Sequence, residues 1–157
     1  MAAPLNGVIL ERIQRLVSYI NELRELQNEV TFAVYQQDKF KRKFIERTLH
    51  TALEACLDIG NRLISVAALR QPEDNRDVFR ALAEAGLLPT ERLETFLRMA
   101  SFRNILVHEY TKLDDAAVYG IFQRRLDDLA AFAEAAARYI AREADGKMDE
   151  PPITHHS

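Results

Sequence analysis

FIERTLHTALEACLDIGNRLIS, residues Phe44 to Ser65, carries Phe44, Leu49, Leu53, Cys56, Leu57, Leu63 and Ile64 as one apolar stripe at helical period. A stripe this long predicts a helix from about Asp38 to Leu69, with Pro72 as its stop because a proline ring bars the turn before it. Gly60 lies inside that helix and costs roughly 1 kcal/mol against alanine, so close approach of another helix is its expected reason.

Outward from this segment the same period recurs. Toward the N-terminus, Ile9, Ile13, Leu16, Val17, Ile20 and Leu23 predict a first helix over about Pro4 to Gln27. Val30 to Gln37 is β-branched and aromatic, but no second strand-like run exists to pair with it, so a turn or a short helix is expected. Toward the C-terminus, Asp74 or Asn75 caps a short helix that closes at Gly86, a residue suited to the left-handed position. Thr90 is placed to cap a further helix carrying Leu93, Phe96, Leu97 and Met99. Asp114 or Asp115 caps a last one over about Asp115 to Ala144, with Val118, Ile121, Phe122, Leu126, Leu129, Phe132 and Ala136 inward and Gly146 at its end. The expected class is all-α. Residues 1–145 form one domain in this reading, and 146–157, with two prolines and no period, a flexible tail that includes His155 and His156.

Composition agrees. The 157 residues suit one domain with a substantial core, and 29% charged with only five Gly and five Pro is the balance of a folded helical chain, neither disordered nor fibrous. No uncharged run approaches the roughly 20 residues that span a bilayer, and the first residues lack a basic region followed by an apolar core. The expectation is a cytoplasmic protein without membrane contact. The single Cys56 has no thiol to pair with and reads as a small core residue. Glycine-rich phosphate loops, Ser/His/Asp orders and metal-ligand spacings do not appear, so no metal or cofactor is expected.

Against this background SFRNILVHEY, Ser101 to Tyr110, is anomalous: Arg103, His108 and Tyr110 interrupt an apolar segment containing Ile105, Leu106 and Val107. A guanidinium holds phosphate in a fork, and an imidazole exchanges protons near neutrality, a pair suited to phosphodiester chemistry. On an ideal helix Arg103 and Tyr110 lie within about 20° of each other and Asn104 and His108 within about 40°, but Arg103 and His108 are about 140° apart. Convergence then requires a helix end near His108, a long reach by Arg103, or two copies meeting in a symmetric dimer, the favoured option. The same residues also read as structure: a histidine at a helix C-terminus serving the dipole, and an arginine serving an ion pair.

A net charge of −3 does not advertise nucleic-acid binding. Locally, however, Lys39, Lys41, Arg42, Lys43 and Arg47 form the densest basic run and could take backbone phosphate by counterion release. The structural alternative is a solvated helix face with Phe40 and Phe44 packing inward. Glu46 and Asp58, acidic among apolar neighbours, read as partners for a buried arginine, with Glu46 the better candidate to support Arg103.

RNILVHEY resembles the Arg-x-x-x-x-His-x-Tyr motif of HEPN-domain ribonuclease toxins of the HepT type, the toxin half of MntA–HepT toxin-antitoxin systems. Three further blocks in order are similar to that family: Phe44 to Ser65, DVFRALAEAGLLP (Asp77 to Pro89) and LDDAAVYGIFQRRLDDLAAFA (Leu113 to Ala133). The resemblance covers about Leu5 to Ile140, with no departure at Arg103, His108 or Tyr110.

The resemblance implies a HEPN-type bundle of about four to five helices, working as a homodimer that places two motifs in one cleft. It implies a toxin of type VII-like systems that cleaves RNA internally without metal. His108 would take the proton from a ribose 2′-hydroxyl or give one to the leaving 5′-oxygen, Arg103 would hold the scissile phosphate, and Asn104 would orient the imidazole or the phosphate, giving a cyclic phosphate product. Tyr110 would receive AMP from a minimal nucleotidyltransferase antitoxin of the MntA type, which would fill the cleft and neutralise the cation. The rival reading is a non-catalytic helical scaffold that binds a nucleotidyltransferase or a nucleotide.

Overall fold

The structure, a computed structural model, describes residues 3–108 and 114–149, with side chains described over 6–103 and 114–146. The helices are α1 (Ala3–Gln27), α2 (Phe32–Gln37), α3 (Lys39–Val66), α4 (Asn75–Glu84), α5 (Leu93–His108), α6 (Asp115–Arg124) and α7 (Leu126–Asp149). No strand occurs among the described residues, so the class is all-α as expected. The count exceeds four to five because α2 forms its own helix and the expected last helix is two. None of the helices searched is long and apolar enough to cross a membrane.

α3 is the central element: α1 and α7 pack on it and on each other, and α4 and α5 cover the rest. Its inward residues Ile45, Leu49, Leu53, Cys56, Leu63 and Ile64 are buried, as are Ile9, Ile13, Leu16, Ile20 and Leu23 of α1. Each such side chain contributes roughly 1.5–3 kcal/mol on leaving water. Burial pushes the Cys56 thiol far above its ordinary pKa, which makes it the inert core residue the sequence indicated. A Cβ built on Gly60 would meet Val78 Cγ1 at 2.7 Å and Leu82 Cδ1 at 3.3 Å, so the missing side chain is what lets α4 lie against α3.

Three expectations about faces are corrected. Phe44, Phe40 and Val17 do not pack inward: they are 47%, 85% and 41% exposed. Phe44 sits about 140° around the helix from Leu49, which is buried in the core.

The helix termini are set by local chemistry. The Asp38 carboxylate accepts from the Phe40 and Lys41 amides, both at 3.1 Å, and separates α2 from α3. Asp74 accepts from the Asp77 amide at 2.8 Å and so caps α4, while Asp114 caps α6. Gly86 closes the α4 end at φ +76°, where a side chain would be strained. Thr90 does not cap α5 but opens a 3₁₀ turn, Thr90–Arg92, that follows Pro89.

α6 and α7 part at Arg125, a break no proline or glycine announces. Its cause is tertiary: the Gln27 side-chain amide donates to the Phe122 carbonyl at 3.0 Å and to the Gln123 carbonyl at 3.5 Å. Those carbonyls would serve Leu126 and Asp127 in a continuous helix. Gln123 answers by donating to the Gln27 and Val30 carbonyls, at 3.0 and 3.3 Å. α7 then runs past the expected stop at Gly146 to Asp149.

Candidate functional site

α5 is held by its first half. Phe96 packs against Phe79 of α4 with ring centroids 5.1 Å apart and against Phe132 of α7 at 5.6 Å, and Met99 and Ala100 are buried beside them. The two turns that follow carry Ser101 to His108 along α3. Arg103 Nε donates there to Glu54 Oε1 of α3 in a short charge-assisted contact. The arginine side chain is 22% exposed and the glutamate 41%, so the pair lies at the edge of the bundle, partly in solvent.

A third group shares the same oxygen. His50, one turn before Glu54, places Nε2 3.4 Å from Glu54 Oε1, and this nitrogen is buried and makes no hydrogen bond among the described residues. One carboxylate therefore faces a guanidinium from α5 and an imidazole from its own helix. Neither Glu54 nor His50 was singled out from the sequence. The available signal was their four-residue spacing, which sets both on one helix face.

Glu46 does not support Arg103. It accepts the Tyr35 hydroxyl at 3.1 Å, tying α3 to α2, and with burial this carboxylate pushes the Tyr35 phenol well above its ordinary pKa. Glu46 lies two turns from Glu54, and α5 reaches α3 at the later residue. Asp58 does pair with arginines, Arg12 at 3.3 Å and Arg62 at 3.1 Å, but these are not the buried partner expected: the two arginine side chains are about one-third exposed and Asp58 42%.

α5 keeps helical geometry through His108, so positions 103 and 108 stand about 140° apart around one axis. The side chains of Asn104 and His108, and Tyr110 altogether, lie outside the described residues.

The basic run is divided by the helix. Lys39, Lys43 and Arg47 are exposed on one face. Arg42 turns away and donates to the Gln36 carbonyl at 2.6 Å and the Tyr35 carbonyl at 3.4 Å, closing the end of α2. Lys41 lies on the opposite side of Phe40, in a shallow groove with Glu22, Glu25, Leu26 and Phe44.

The family model described as Ribonuclease HepT-like matches residues 16–136, a span that includes His50, Glu54, Arg103, His108 and Tyr110. The chain is 26% identical over 130 residues to the mRNA nuclease HepT of Shewanella oneidensis, covering 83% of this chain and 96% of that protein. It is 26% identical over 137 residues to the tRNA nuclease HepT of Aphanizomenon flos-aquae, covering 87% and 92%. Among solved structures, the tri-AMPylated HEPN toxin of Shewanella oneidensis in complex with an MNT antitoxin has a TM-score of 0.70 at 25% identity, over 85% of this chain and 97% of that one.

Proposed function

Because the chain belongs to the Ribonuclease HepT-like family, we propose that it is the toxin of a type VII-like toxin-antitoxin pair and acts as an RNA endonuclease that needs no metal. The observation that carries this reading is the Glu54–Arg103 contact, which sets a guanidinium at the bundle edge five positions before His108 on the same helix.

The chemistry follows from the groups. Glu54 fixes the plane of the Arg103 guanidinium, and the cation holds the scissile phosphate and offsets charge growing on its oxygens. His108 takes the proton of the 2′-hydroxyl or returns one to the leaving 5′-oxygen, a role worth about 10²–10⁴ in rate. Attack by the 2′-oxygen forms its bond to phosphorus as the bond to the 5′-oxygen breaks, leaving a 2′,3′-cyclic phosphate. DNA, without that hydroxyl, is spared. Asn104 orients the imidazole or the phosphate. A homodimer brings Arg103 of one copy toward His108 of the other, which resolves their 140° divergence within one helix.

Control rests on Tyr110. A partner nucleotidyltransferase of the MntA type transfers AMP to its hydroxyl, and the added phosphate occupies the cleft and neutralises Arg103. The tri-AMPylated relative bound to its antitoxin supports this part of the reading.

The test is a gel of total RNA incubated in chelator with the wild type, Arg103→Ala and His108→Ala, each matched for folding and shown by mass to be free of AMP. Cleavage by the wild type alone is expected. Intact RNA in all three lanes, with stable capture of the nucleotidyltransferase, would turn the assignment to a non-catalytic scaffold.

A further inference from the structure

One face of α3 carries more than a scaffold needs. Counting about 100° per residue from Lys39, Lys43 falls at about 40°, Arg47 at about 80°, Phe40 at about 100° and Phe44 at about 140°. All five side chains are exposed, Phe40 at 85%. Among the described residues none of the three cations makes an ion pair. An unpaired cationic stripe thus runs beside two exposed aromatic rings one helical turn apart.

In the same frame His50 falls at about 20° and Glu54 at about 60°, within the arc of the cations. The stripe therefore leads along about 22 Å of helix to the carboxylate that meets Arg103. On its far side the aromatic pair is bordered by Glu22 and Glu25 of α1 and by Lys41, two carboxylates against one ammonium, a rim less favourable to phosphate than the side of Lys39, Lys43 and Arg47. A polyanion laid on this face has its backbone directed to the lysine side and its apolar parts to Phe40 and Phe44.

We infer that this face of α3 is a track for single-stranded RNA, in which Lys39, Lys43 and Arg47 take phosphates while Phe40 and Phe44 stack on bases, delivering the strand to Arg103. The inference rests on the ribonuclease reading above. Single strands fit because only an unpaired nucleotide presents its ring face to an aromatic side chain, whereas a duplex keeps its bases stacked on one another. A second copy of the chain fits poorly, since a two-fold contact through this face would set Lys39, Lys43 and Arg47 against themselves.

The experiment measures binding without turnover, by anisotropy of a fluorescent single-stranded oligoribonucleotide, and of the same sequence as a duplex, on His108→Ala protein. Adding Phe40→Ser and Phe44→Ser is expected to weaken single-strand binding about ten-fold or more and to leave the duplex affinity as it was. The exposed Leu10, changed to serine, is the control and is expected to leave both affinities alone. Replacing Lys39, Lys43 and Arg47 with alanine should reduce the log–log salt slope by about 2.

Unchanged single-strand affinity in the Phe40/Phe44 variant overturns the track. If that variant instead loses dimer mass in sedimentation, or capture of the nucleotidyltransferase, with RNA affinity intact, the face is a protein interface and the inference is wrong. Phe-dependent RNA binding by a wild type that cleaves nothing would keep the track and remove the ribonuclease reading.

Discussion

Glu54 of α3 and Arg103 of α5, 49 residues apart in the chain, meet through Oε1 and Nε, and His50 Nε2 stands 3.4 Å from the same carboxylate oxygen. The carboxylate is thus the point at which the central helix grips the proposed phosphate-binding cation.

Glu54→Gln keeps the size of the side chain but removes the charge that orients the guanidinium. A hydrogen bond to a charged group is worth about 1.5–3 kcal/mol, so kcat/KM for RNA cleavage should fall about 10–100-fold. Glu46→Gln, whose partner is the Tyr35 hydroxyl, should move kcat/KM far less. Steady-state rates of the two variants, at matched thermal midpoints, decide; equal losses would remove the special role given to Glu54.

Tyr110→Phe should cleave RNA within a few-fold of wild type yet take up no AMP from the nucleotidyltransferase. Intact-mass measurement after incubation with the antitoxin and ATP reads the second property directly. If cleavage disappears with the hydroxyl, Tyr110 belongs among the catalytic groups.

Gly60→Ala tests the α3–α4 contact by its sign. On an open helix face alanine would stabilise by about 1 kcal/mol. Here its Cβ would stand 2.7 Å from Val78 Cγ1, on a stiff β-branched side chain, and overpacking costs about 1–3 kcal/mol. Urea unfolding should therefore show a loss of stability, and a gain would mean that α4 can draw back.

Asp77 makes the fold sensitive to acid. It accepts from Arg70 Nη1 at 2.7 Å and Nη2 at 2.9 Å and from the Glu73 amide at 2.9 Å, and these donors hold its carboxyl well below the usual range. Glu84, which takes Arg70 Nε at 2.8 Å, is lowered by the same cation. Both folded pKa values lie below the unfolded ones, about 3.9 for Asp and 4.3 for Glu. Their stabilisation is therefore present above those values and is lost as pH falls through the folded pKa. Denaturant midpoints taken from pH 6 downward should drop steeply below about pH 4 in the wild type and more gently in Asp77→Asn, which starts from a lower midpoint. Parallel curves would show that other carboxylates govern acid unfolding.

The helical class, the start of α3 near Asp38, the caps at Asp74 and Asp114 as one of two candidates each, the left-handed Gly86 and the meaning of Gly60 were legible in the chain. Each depends on residues within a turn or two of one another, or on a stripe that repeats every few positions, and local backbone chemistry decides such features. The RNILVHEY motif was legible for a related reason, since charged groups inside an apolar segment are anomalous wherever that segment packs. Three matters were decided only by tertiary contact. The sequence pointed to Glu46 as the support of Arg103, whereas the carboxylate that meets it is Glu54, about 12 Å further along α3. The placement of α5 by Phe79, Phe96 and Phe132 selected Glu54. Gln27 ended α6 by taking carbonyls that nothing local would have released. Phe44 read as core by its place in the helical stripe, and Phe40 beside it in the structural alternative, yet both face solvent, because the neighbouring helices approach α3 from the side of Ile45 and Leu49.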